Sequence, residues 1–228
     1  GKIVKAEGKE VMARTTLKLD KEKTAEVVQN LLVSHPKLWD LDFPYRYTVE
    51  TIIKKGGKTI DKYLTPFGIR SVKFDKDKGF FLNNKHLKLK GMCLHQDAGC
   101  LGTAVPDRAY ERRLLILKEF GTNAIRCSHN PPSPEFLNYC DSIGFLVIDE
   151  AFDKWKSGYY EEFFDSSWQQ DISDMVIRDR NHPSVILWSI GNELAEAKLK
   201  DDTGIERAGM LQDFVHQLDP SRLVMLAL

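Results

Sequence analysis

The sequence predicts two architectures in series, α/β plus all-β. Residues 1–76 read as a partial immunoglobulin-like β-sandwich, and residues 77–228 as the first half of a TIM-type (β/α)8 barrel. Three observations carry this prediction. Up to about residue 75 apolar residues come in short alternating runs between turn signals. After residue 80 the rhythm changes to strand then helix, repeated. The residues that close each of these later strands are polar.

The amino-terminal runs are Glu10 to Leu19, Ala25 to Ser34, Tyr45 to Lys54 and Gly68 to Asp75, separated by signals such as Lys55-Gly56-Gly57-Lys58 and the Pro36 to Pro44 stretch. That pattern predicts an antiparallel sheet with one wet face. Three or four strands fall short of the roughly seven of a complete immunoglobulin-like sandwich, so the beginning of this domain is expected to be missing.

The βα series starts with a strand in His86 to His95, then an amphipathic helix from Pro106 to Gly121, opened by proline and closed by glycine. A strand in Asn123 to His129 and a shorter helix in Ser133 to Gly144 follow. Next come a strand in Phe145 to Glu150, a longer loop and a helix in Trp168 to Arg180. The strand "VILWSIGNE", Val185 to Glu193, a helix in Gly204 to Asp219 and a last strand in "RLVMLAL" complete four units and part of a fifth. Apolar strands alternating with helices predict a parallel sheet covered by helices. A doubly wound nucleotide fold is disfavoured, because Gly91, Gly99 and Gly102 lack the dinucleotide spacing.

Composition narrows the function classes. With 42% hydrophobic and 29% charged residues the chain is that of an ordinary globular protein. Lys+Arg and Asp+Glu are equal at 33 each and no basic run is interleaved with aromatics, which argues against nucleic-acid or anionic-membrane partners. No apolar stretch approaches the roughly 20 residues of a membrane-spanning helix. The unevenly spaced Cys93, Cys100, Cys127 and Cys140 read as reduced packing residues rather than a disulfide frame.

The polar strand ends point to chemistry. His95 and Asp97 follow the first barrel strand, Arg126 and His129 end the second, Asp149 and Glu150 the third, Asn192 and Glu193 the fourth. Any one of them can cap the next helix or be solvated. In an eightfold barrel, however, all carboxyl ends converge on one face, and agreement at four of them predicts one pocket.

Two long segments, "GTNAIRCSHNPPSPEFLNYCDSIGFLVIDEAFDKW" and "RDRNHPSVILWSIGNE", resemble the signature regions of glycoside hydrolase family 2, the family of β-galactosidases, β-glucuronidases and β-mannosidases. The passage "TPFGIRSVKFDKDKGFFLNNKHLKLKGMCLHQD" resembles the family's transition from its immunoglobulin-like middle domain into the barrel. The resemblance implies a retaining glycosidase acting on a carbohydrate substrate. It assigns Glu193 as acid/base and Asn192 to the sugar 2-hydroxyl. His95 and His129 match histidines around the non-reducing sugar, and Asp97 and Trp155 join them as expected substrate contacts, Trp155 either stacking on a sugar face or packing within its loop. Arg126 and Glu150 match buried polar positions that orient the site. The segments around "LHQDAGCLGTAVPDRA" and "DEAFDKW" look more like the β-galactosidase branch than the β-glucuronidase branch.

Two departures qualify the resemblance. Some β-galactosidases hold a catalytic magnesium through a glutamate and a histidine just after "DEA"; here Lys154 and Trp155 stand nearby instead, so neither a metal nor another cofactor is expected. A barrel of this type takes roughly 250 residues, and the family's nucleophile, near the end of the seventh strand, is expected beyond Leu228. The chain alone is therefore predicted inactive, and the open edges of a half barrel predict association as a homo-oligomer or poor solubility. Two other classes stay open: a non-catalytic module that binds carbohydrate or a protein partner, and a metal hydrolase using Cys93, His95, Cys100 or His129, which lacks a tight ligand pair.

Overall fold

A computed structural model describes residues 2–6, 9–194 and 202–227. The amino-terminal sheet contains β1 (Lys2–Ala6), β2 (Lys9–Ala13), β3 (Tyr47–Lys55) and β4 (Lys58–Phe67), antiparallel in the order β2-β1-β3-β4. The turn anticipated at Lys55 to Lys58 joins β3 to β4. The strand β4 itself, with its charges and Pro66, was not anticipated.

Two expectations for this region are corrected. Ala25 to Ser34 forms no strand: Val28 and Leu32 are 78% and 80% exposed and no sheet partner reaches them. The Gly68 to Asp75 segment does contain a strand, β5 (Val72–Asp75), but it joins β6 (Gly79–Leu82) and β7 (Lys85–His86) in a separate antiparallel sheet. Apolar packing explains this. Phe74 meets Phe80 with ring centroids 5.0 Å apart. Phe80 and Leu82 are buried with Trp39, Ala124, Leu146 and Ile186, the last three lying at the amino ends of later strands. The β5-β6-β7 sheet therefore packs under the parallel sheet rather than extending the first one.

That parallel sheet follows the predicted series. Its strands are β8 (Gly91–His95), β9 (Ala124–Ser128), β10 (Leu146–Glu150), β11 (Val185–Asn192) and β12 (Leu223–Ala227), lying side by side in sequence order. The helices are α1 (Asp107–Glu119), α2 (Pro134–Ile143), α3 (Glu161–Asp179) and α4 (Thr203–Leu218). The third starts at Glu161, a turn and more before the expected Trp168.

Strand alternation divides the side chains between two faces. Ile125, Cys127, Val147, Val185 and Trp188 face the helices and form the main core with Leu114, Leu137, Ile172, Val176, Leu211 and Val215. Ala124 and Leu146 point the other way, into the cluster with Trp39. Arg126 shares a face with Ala124, and Glu150 with Leu146. The site is thereby aimed away from the helices.

Helix α2 shows how local chemistry sets these boundaries. Ser133 accepts a hydrogen bond from the Phe136 amide at its start, and Pro134 occupies the first turn. Gly144 ends it at φ 86°, where a Cβ would also collide with the Leu41 carbonyl. Lys118 then donates to the carbonyls of Leu41 (2.7 Å), Ile143 (3.0 Å) and Gly144 (2.8 Å). The Trp39 indole donates to the Asp141 carbonyl at 2.8 Å. These bonds dock the segment around Trp39 on the barrel-type layer.

The cysteines are unpaired. Cys127 and Cys140 are buried packing residues, as expected, and burial raises both thiols well above the usual range. Cys93 and Cys100 are exposed rather than buried. Among the described residues no helix is long and apolar enough to cross a membrane.

Candidate active site

The strand register assembles the site. Arg126 of β9 pairs with Ile148 of β10, which places Glu150 two residues nearer the carboxyl end on the same face. Glu150 in turn pairs with Ser189 of β11. Arg126 Nε donates to Glu150 Oε2 at 2.8 Å, and Ser189 Oγ donates to the same oxygen at 2.6 Å. His129 Nδ1 lies 2.6 Å from Oε1. Glu150 is 0% exposed, so both of its oxygens are occupied by protein. It serves as an anchor for its neighbours.

From this anchor a chain of contacts runs outward. Arg126 Nη2 donates to Asn192 Oδ1 at 2.8 Å, and Asn192 Nδ2 donates to Asp153 Oδ1 at 2.8 Å. The amide orientation of Asn192 is thus fixed at both ends. The Asn192 backbone N–H donates to the Asp153 carbonyl at 2.5 Å. Lys154 Nζ meets both Asp153 oxygens at 3.0 Å and Glu193 Oε2 at 3.6 Å. Burial raises the Asp153 carboxyl, but the bonds from Asn192 and Lys154 outweigh it and bring it below its ordinary range.

Glu193 stands at the mouth, its side chain 73% exposed. Its backbone has φ 46°, a left-handed conformation uncommon for a residue with a Cβ. The Glu193 N–H donates to the Ala227 carbonyl at 3.0 Å, tying the turn to β12. At the preceding Gly191 a Cβ would crowd Leu194 and Trp155, so close packing holds the strand end in place. His95 and His129 meet edge to face, 5.2 Å between ring centroids. His129 faces Glu150 through Nδ1.

Three strand-end or loop residues do not fit the expected pattern. Trp155 is corrected: it is 1% exposed, its indole donates to the Ile190 carbonyl at 2.6 Å, and Arg207 lies over its ring, so no face is left for a sugar. Asp97 turns toward Arg113 of α1, at 3.4 Å, rather than joining the chain from Arg126 to Glu193. Asp149 points into the helix layer, where burial, and then the nearby Asp179, raise its carboxyl well above the usual range. Arg178 grips Asp179 with two 2.7 Å bonds.

Sequence reasoning missed Ser189 and Asp153. Ser189 carried a usable signal, since it lies two residues from Leu187 on the inward face of an apolar strand. Asp153 carried none, because only the fold of the loop after β10 brings it to Asn192. Among the described residues no group of three or more His, Cys, Asp or Glu could hold a metal ion. Beside His129, Asp153 and Lys154 a cavity of about 670 Å³ opens toward Tyr159, Tyr160 and α3.

Comparison with known proteins decides the family. The model described as "Glycosyl hydrolases family 2, TIM barrel domain" matches residues 72–227, and that described as "Glycosyl hydrolases family 2" matches residues 1–70. The chain belongs to glycoside hydrolase family 2. It is 49% identical over 220 residues to the β-galactosidase BoGH2A of Bacteroides ovatus, covering 92% of this chain and 26% of that protein. It is 31% identical to a β-glucuronidase of Bacteroides fragilis, covering 96% of this chain and 32% of that one. A solved family 2 member from Bacteroides cellulosilyticus superposes with a TM-score of 0.91 at 42% identity, over 100% of this chain and 31% of its own. The chain thus spans about a quarter to a third of these relatives. The family 2 match extends over all three sheets and includes every residue of the Arg126 to Glu193 network.

Proposed function

We propose that this chain forms part of a retaining glycosidase that cleaves terminal β-linked sugars, with β-galactosides the first substrates to test. The observation that carries this reading is the placement of Glu193 at the open end of a strand, beside an Asn192 amide immobilised by Arg126 and Asp153. In double displacement the Glu193 carboxylic acid gives its proton to the glycosidic oxygen as the bond to the anomeric carbon breaks. A second carboxylate about 5 Å away takes that carbon, and Glu193 then accepts a proton from the attacking water. We assign the second carboxylate to a segment outside these residues, since Glu150 has both oxygens engaged. Asn192 and the two histidines hold hydroxyls of the sugar, and Arg126, Glu150 and Ser189 keep them in register.

The same reading divides the chain into a partial immunoglobulin-like domain, residues 1–76, and the first half of a (β/α)8 barrel, residues 77–228. Support comes from five parallel strands lying side by side in sequence order, as consecutive barrel strands do. Half-exposed Met92 and Leu223 on the two edge strands are consistent with further strands, or a second copy, covering them. On this reading the 228-residue chain alone is inactive, because a constellation that acts as a unit loses nearly all its rate when split.

The test is hydrolysis of nitrophenyl β-galactoside, β-glucuronide and β-mannoside by the full-length protein containing this chain, with Glu193→Gln as comparison. Turnover of one glycoside that falls by about 100-fold or more in the variant is the expected result. Saccharide binding without turnover in the unaltered protein would replace this reading with a non-catalytic one.

A further inference from the structure

We infer that Lys154 is a positioning residue that restrains the acid/base carboxyl of Glu193; this rests on the function proposed above. Its ammonium lies between two carboxylates, 3.0 Å from both oxygens of Asp153 and 3.6 Å from Oε2 of Glu193. An ammonium has three protons in tetrahedral array. Two are used by Asp153, and the third is free for Glu193.

An exposed ion pair does little when both side chains must first be ordered. Lys154 differs because one end of the pair is already fixed. Asp153 accepts from the Asn192 side chain at 2.8 Å, and its carbonyl accepts from the Asn192 N–H at 2.5 Å. Asn192 is in turn held by Arg126 at 2.8 Å. Lys154 therefore meets Glu193 as a cation on a rigid support, whereas Glu193 projects from the end of its strand with its side chain 73% exposed. The contact engages one carboxyl oxygen, Oε2, and Oε1 is the oxygen we assign to the leaving group. No proton passes through Lys154. The proton moves from Glu193 to the glycosidic oxygen, and later from water to Glu193.

This role has a signature that a merely structural one lacks. A leaving group that departs without protonation does not need a well-placed acid, whereas an alkyl or sugar aglycone does. In the full-length protein, Lys154→Met is expected to lower kcat/KM for an alkyl or disaccharide glycoside by about tenfold or more, and for the dinitrophenyl glycoside by no more than about threefold. Lys154→Arg, which keeps the charge with a different donor geometry, is expected to recover part of the difference. Equal losses on both substrates, or no loss on either, would overturn the inference. Should Lys154→Met fold poorly, Lys154→Gln gives the same comparison. Glu193→Gln, assayed in parallel, separates the two readings. If Glu193→Gln lacks leaving-group dependence, the acid/base assignment falls; if it shows that dependence and the Lys154 variants do not, only Lys154 loses its role. Absence of turnover by the unaltered protein overturns both.

Discussion

Arg126 and Glu150 face each other across two neighbouring parallel strands, with Arg126 Nε 2.8 Å and Nη2 2.7 Å from the same carboxyl oxygen. The contact spans β9 and β10, and through Asn192 it reaches β11. A single guanidinium thus sets the spacing of three strand ends.

Removing this guanidinium leaves Glu150, 0% exposed, with a lost partner. Arg126→Met is expected to destabilise the protein by about 3 kcal/mol, and adding Glu150→Met is expected to recover part of the loss. Urea unfolding of the two single variants and the double variant measures the coupling. Additive losses would mean that the two side chains do not act as a pair.

Glu193 combines a left-handed φ of 46° with an exposed side chain. Glu193→Gly is therefore expected to stabilise the fold by about 1 kcal/mol while removing the proposed acid/base. A higher denaturation midpoint together with lost turnover is the predicted combination. A lower midpoint would show that the side chain stabilises the native state.

Trp155 gives the opposite expectation. Buried to 1% exposure and hydrogen-bonded to Ile190, it contributes packing, and Trp155→Ala is expected to cost about 3–5 kcal/mol. Trp155→Phe, which keeps most of the ring volume, is expected to cost less and to leave saccharide affinity in place. Calorimetric titration of the folded Phe variant checks the second part.

Acid stability is expected to depend on Asp219. Burial pushes its carboxyl up, but the hydrogen bonds from Ser221 and the charge of Arg222 prevail and bring it down to about 2. The unfolded carboxyl titrates near 3.9. The folded value is the lower one, so the stabilisation is present above the unfolded value and is lost as pH falls through 4 toward 2. Allowing for solvent screening it amounts to about 1 kcal/mol. Asp219→Asn is expected to flatten the stability profile in that window and leave its shape above pH 5 unchanged, as acid titration of the unfolding free energy will show.

Much of the fold was legible because its signals are local. Pro134 and Gly144 bound one helix, and apolar runs ending in Glu150 and Asn192 mark two strands; these follow from backbone geometry and side-chain period within a few residues. Where a strand depends on a distant partner the sequence misled. Val28 and Leu32 sit in a β-prone run that no ladder completes, while β4 forms around Pro66 because β3 lies alongside it. Strand pairing is a non-local contact, and propensity alone does not specify it.

The site divides in the same way. The sequence by itself determined that Asn192 and Glu193 emerge where an apolar strand stops, that Arg126, His129 and Glu150 end neighbouring strands, and that the chain carries the family 2 signatures. Only the tertiary structure decided which of these meet. Register set Arg126 and Ser189 on Glu150, and loop packing brought Asp153 and Lys154 to Asn192 and Glu193. Core formation drew Trp155 inward, and α1 turned Asp97 toward Arg113. Order along the chain reports on which residues end a strand; distances between strand ends depend on register, twist and the volume of the core beneath them.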